Sequence, residues 1–82
     1  MRHARSHDLD ALEPLLVRLR LLEVLHEKSR GVFYRGSRAF LHFHEDAGDL
    51  FGDVRFGDDF ERMRVTTPDE QTHLVEMISG SL

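Results

Sequence analysis

The residues best equipped for chemistry lie together in "RAFLHFHED", residues 38 to 46, where His42 and His44 stand two apart and Glu45 and Asp46 follow directly. Side chains alternate along a strand, so both imidazoles project from one face. A His-Xaa-His pair in that setting can hold one metal ion, and Asp53 comes within reach as a third ligand if the next strand sets it opposite His42. The competing assignment is electrostatic. His42 then pairs across the strands with Asp53, with Arg64 beyond it, while His44 stacks near Phe51. A neighbouring carboxylate favours protonated histidine and nearby arginines oppose it, so a modest net rise in the His42 pKa is expected.

Other constellations are weaker. Ser37, His42 and Asp53 supply the residue types of a hydrolytic triad, but no nucleophile elbow surrounds Ser37, and Gly36-Ser37 has the composition of a turn. Glu45, Asp46 and Asp49 could be read as paired carboxylates, yet they fall on a hairpin loop where charge is ordinarily solvated. The six glycines sit singly, so no phosphate-cradling glycine loop is present. These observations call for no cofactor and give no catalytic residue.

The elements that must position the histidines follow from periodicity. Residues 1 to 8 lack it and are expected to fray as a tail, leaving a single domain over 9 to 82. "DLDALEPLLVRLRLLEVLHEK" reads as one helix from Asp8 or Asp10 to about Lys28, with Leu12, Leu15, Leu16, Leu19, Leu22 and Leu25 as its core stripe. Val17, Leu21 and Val24 widen the apolar arc and suggest a second contact. "SRG" at 29 to 31 reads as the helix end, Gly31 taking the left-handed closing conformation.

The period then becomes two. Gly36-Ser37 between "VFYR" and "RAFLHFHE" is the signature of a two-residue hairpin, which pairs Tyr34 with Ala39, Phe33 with Phe40 and Val32 with Leu41. A second hairpin around Ala47-Gly48 sets Phe43 opposite Gly52, Leu41 opposite Val54 and His42 opposite Asp53. A fourth strand, "FERMRVT", is placed with Met63 against Val54 and Arg64 across from Asp53, a bulge near Gly57 being able to shift this by one residue. Thr67, Pro68 and Glu70 open a last helix as cap, first-turn proline and capping-box acid. The expected fold is α+β in the order α-β-β-β-β-α, a four-stranded antiparallel meander with the N- and C-terminal helices packed on one face.

In that arrangement Val32, Tyr34, Ala39, Leu41, Phe43, Val54, Phe56, Met63 and Val65 face the core. The opposite face collects Phe33, Phe40, His42, His44, Phe51, Asp53, Arg55, Arg62 and Arg64, with no third layer to cover it. Three phenylalanines facing water point to an interaction surface. The reading is a small binding module that self-associates as a homodimer or takes another protein, without catalysis of its own. The alternative is a metal-binding protein using His42, His44 and Asp53.

The bulk numbers set the limits. Eighty-two residues allow one small core. The net charge of −4 argues against a general grip on nucleic acid, although aromatics with arginine on an open sheet can stack single-stranded RNA. Ten of the eleven basic residues are arginine, which suits phosphate or carboxylate recognition where a local patch forms. There is no cysteine, hence no disulfide or thiolate site, and a cytoplasmic location is expected. The opening "MRHARSHD" is followed by no apolar signal core, and no run of about 18 apolar residues suggests a membrane span. The segment "FYRGSRAFLHFHEDAGDLFGDVR" resembles one in short, uncharacterised bacterial proteins, over about Gly31 to Thr67; the resemblance implies no activity, cofactor or site residue.

Overall fold

A computed structural model describes all 82 residues. The chain runs β1 (Arg2–His3), α1 (Ser6–Ala11), α2 (Glu13–Arg20), β2 (Leu25–Ser29), β3 (Val32–Arg35), β4 (Arg38–Asp46), β5 (Asp49–Val54), β6 (Glu61–Arg64) and α3 (Pro68–Ser81). The fold is α+β, built on an open antiparallel sheet in the order β2-β3-β4-β5-β6, with β1 added beside β4. All four expected strands are present, and two more join them. No helix is long and apolar enough to cross a membrane.

The long first helix is corrected in two places. Pro14 can donate no N–H to the carbonyl of Asp10 and its ring crowds that group, so the helix divides around Leu12 into α1 and α2. Downstream, Leu25–Ser29 is a strand paired with β3, His26 standing opposite Tyr34 and Glu27 opposite Phe33. Gly31, at φ +77°, closes that hairpin rather than a helix. A left-handed glycine serves either purpose, and Leu25 is buried in either conformation. Val17, Leu21 and Val24, expected to make a second contact, are exposed in this single chain.

Residues 1 to 8 hold β1 and the first three residues of α1. Arg2 stands opposite Glu45 and His3 opposite His44, the Ala4 amide donates to the Phe43 carbonyl at 3.0 Å, and the Arg2 guanidinium meets Glu45 at 2.9 Å. Two residues carry too little apolar pattern to announce a strand; a free stretch of the long β4 edge provides it with a partner.

The β4–β5 hairpin has the expected register, with Leu41 opposite Val54, His42 opposite Asp53 and Phe43 opposite Gly52. Its turn places Ala47 and Gly48 at φ 51° and 86°, the pair of left-handed residues that a type I′ turn requires. The β3–β4 hairpin does turn at Gly36-Ser37, with Gly36 at φ +62°, and Tyr34 does meet Ala39. Beyond that pair the register shifts, because Phe33 stands opposite Leu41 and Phe40 is the extra residue of a bulge. One inserted residue reverses the faces of β3. Phe33 and Phe40 are therefore in the core, 1% and 3% exposed, while Val32 and Tyr34, assigned to the core, are only partly covered.

The β5–β6 register differs from expectation by two residues: Arg62 faces Asp53 and Met63 faces Gly52. A shift of two preserves the faces, so Met63 stays on the core side. Leu12, Leu15, Leu16 and Leu19 from the first helices and Leu74 and Ile78 from α3 join Phe33, Phe40, Leu41, Phe43, Leu50, Val54 and Val65 of the sheet and its extensions in one cluster. Gly52 lies beneath α3, where an added Cβ would meet Leu74 at 3.6 Å and Leu41 and Phe43 at 3.4 Å, ordinary packing distances. Thr67 caps α3 as expected, exchanging hydrogen bonds with Glu70.

Candidate metal centre

The face opposite the helices carries the His-Xaa-His pair of β4. Alternation along β4 places His42 and His44 there, and the regular β4–β5 register sets Asp53 opposite His42, its carboxylate reaching both imidazoles. His44 Nε2 lies 3.1 Å and His42 Nε2 3.5 Å from the same carboxylate oxygen, Asp53 Oδ2. One donor atom from each of the three residues falls within 4.8 Å of the others. A tetrahedral ion with bonds of about 2.0–2.2 Å holds its donors about 3.4 Å apart, a spacing that small rotations of these side chains reach.

Three further side chains complete the surroundings. Arg62 donates to Asp53 through both ends of its fork, Nε to Oδ1 at 2.7 Å and a terminal nitrogen to Oδ2 at 2.8 Å. The His3 ring lies 4.6 Å from that of His44 and 6.0 Å from that of His42. Phe60 and His42 meet edge to face with ring centroids 5.0 Å apart, and Phe60 in turn carries the Arg55 guanidinium over its ring at 4.4 Å.

The electrostatics set the protonation states. Burial pushes the His42 pKa below its ordinary value, the neighbouring His44 adds to this, and Asp53 opposes it without prevailing. This corrects the expected rise: the carboxylate is already committed to Arg62, and desolvation of the ring dominates. His44 is lowered as well, again chiefly by burial, against the pull of Asp53. The Arg62 hydrogen bonds hold the Asp53 carboxyl below the usual carboxylate range. Neutral imidazoles beside an ionised carboxylate are the states that metal coordination demands. The buried His44 Nε2 has no hydrogen-bond partner, since its approach to Asp53 is close but not aligned for one.

Of the nine residues assigned to this surface, His42, His44, Asp53 and Arg62 come together. Phe51 lies on the same face, half-buried between His44 and Arg64 in the register, but the ring neighbours of His44 are His42 and His3. Arg64 is not behind Asp53; it holds Asp49 and Glu70, each at 2.8 Å. Phe33 and Phe40 are on the other face. Ser37 is in its turn, and Glu45 is engaged with Arg2 and the Gly48 amide, which excludes the triad and carboxylate-pair arrangements. Sequence reasoning missed His3 and Phe60. His3 carries no local signal, and Phe60 is marked only as an apolar residue just ahead of β6.

No protein-family model, curated protein or solved structure matches this chain.

Proposed function

We propose that the chain is a small metal-binding module that takes a divalent transition-metal ion such as zinc through His42, His44 and Asp53. The observation that carries this reading is the buried, unpartnered His44 Nε2 converging with a second neutral imidazole on one carboxylate oxygen. Two nitrogen donors and one carboxylate suit borderline cations rather than calcium or magnesium, which prefer all-oxygen cages. Arg62 is the resident counter-cation of Asp53. Its side chain is about half exposed, so it can leave the carboxylate when a metal enters. Self-association through this face, the other reading of its residues, loses its motive because Phe33 and Phe40 belong to the core.

Calorimetric titration of the chelator-treated protein with zinc tests the proposal. One ion per chain is expected, with affinity falling about 10-fold or more in His44→Ala and in Asp53→Asn. Arg62→Gln should bind zinc more tightly than the parent, because the competing guanidinium is removed. Equal affinities in the parent, His44→Ala and Asp53→Asn would overturn the assignment.

A further inference from the structure

Nine of the ten arginines divide into distinct groups; the tenth, Arg5, is the N-cap residue of α1. Arg2, Arg20, Arg30, Arg62 and Arg64 each hold a carboxylate, and Arg18 donates to Thr72. Arg35, Arg38 and Arg55 make no ion pair, and these three line a single cleft of about 270 Å³ at the end of the sheet, beyond the Gly36-Ser37 turn. Asp58, Phe40 and Phe56 contribute to its walls. Three guanidinium groups against one carboxylate leave a local excess of two positive charges, although the chain as a whole is acidic.

Two features make this arrangement costly without a ligand. Arg35 and Arg38 stand directly opposite each other in the β3–β4 ladder, a like-charge pairing that strands normally avoid. The Arg55 Nε is buried and has no hydrogen-bond partner, and such donors are rare in folded proteins. Arg55 is also held in orientation, its guanidinium lying over Phe60. From these features we infer that the cleft is an anion site for a small molecule bearing a phosphoryl dianion. The two excess charges match the dianion, and forks arriving from separate strands suit a tetrahedral oxyanion better than a single planar carboxylate. The cleft is smaller than the usual range of about 300–1,000 Å³ for drug-sized ligands, which favours one or two phosphoryl groups. This site touches the histidine cluster only through the stack of Arg55 on Phe60 and does not depend on a metal being bound there.

The experiment is an NMR titration of the metal-free, 15N-labelled chain with inorganic phosphate, pyrophosphate and acetate at constant ionic strength. Saturable shifts are expected for phosphate and pyrophosphate, centred on the amides of Arg38, Arg55 and Gly57, with pyrophosphate tighter and acetate without effect. Arg38→Gln, at an exposed position whose loss the fold tolerates, should weaken pyrophosphate about 10-fold or more, and Arg55→Gln should do likewise. Arg20→Gln, whose parent side chain is taken up by Glu13 and Glu27, should leave it unchanged. Non-saturating shifts in the parent chain, or equal pyrophosphate binding by Arg38→Gln, would overturn the inference. Tighter binding of a short single-stranded oligonucleotide than of pyrophosphate would overturn the assignment to a small ligand.

Discussion

Strand β4 is shared by two hairpins that behave differently. Toward β5 the ladder is regular from Asp46 to Leu41, and each polar residue keeps the face that alternation gives it. Toward β3 the ladder breaks at Phe40, and the faces of β3 are reversed from those that strict alternation gives. The regular half aligns His42, His44 and Asp53 on the open face. The bulged half turns Phe33 and Phe40 into the core and leaves Arg35, Arg38 and Arg55 around a cleft at the sheet end. A strict period of two is therefore a reliable guide to a site only where the ladder runs without an inserted residue.

The largest test of this contrast compares phenylalanines from the two halves. Phe40→Ser should cost about 3–5 kcal/mol, because it empties a core position, whereas Phe51→Ser on the half-buried open face should cost well under half of that. Urea denaturation of both variants gives the comparison. Similar losses would mean that the bulge does not direct Phe40 inward.

The two turns supply an effect of intermediate size, with opposite signs. Gly36→Ala should destabilise by about 1 kcal/mol, since the space around Gly36 is open and only its positive φ resists a Cβ. Ala47→Gly should stabilise by roughly 0.5 kcal/mol, because alanine at φ 51° already bears that strain and glycine relieves it, less the entropy it adds to the unfolded chain. Thermal midpoints measured side by side would separate the two signs.

The smallest effect is in the pH dependence of the metal-free protein. His42 and His44 have folded pKa values below the ordinary 6.5, so the unfolded chain binds their protons first as pH falls. Their contribution is neutral above 6.5, and stability declines between 6.5 and the lower folded values. Asp53 is lowered from 3.8, so the stabilisation it brings is complete above that pH and is lost as pH falls through its folded value. Two separate acid-side losses are expected in denaturation midpoints against pH, and His42→Gln with His44→Gln should remove the upper one alone. An upper loss that survives both substitutions would assign it to another group.

Much of this architecture was legible before folding. Alternating runs bounded by Gly36-Ser37 and Ala47-Gly48 determined two hairpins, and the Thr67, Pro68, Glu70 sequence determined the start of α3, because turn and cap chemistry is local. The juxtaposition of His42 with Asp53 was determined in the same way, by a two-residue turn followed by uninterrupted alternation. The tertiary structure alone decided four things: that Leu25–Ser29 pairs as a strand instead of extending a helix, that the Arg2–His3 segment fills the free edge of β4, that a bulge carries Phe40 inward, and that Arg62 rather than Arg64 takes Asp53. In each case the local pattern permits both outcomes, since Leu25 is buried as helix or strand and a slip of two residues keeps every face. The choice falls to contacts between segments distant in the chain, which favour paired strand edges and a filled core.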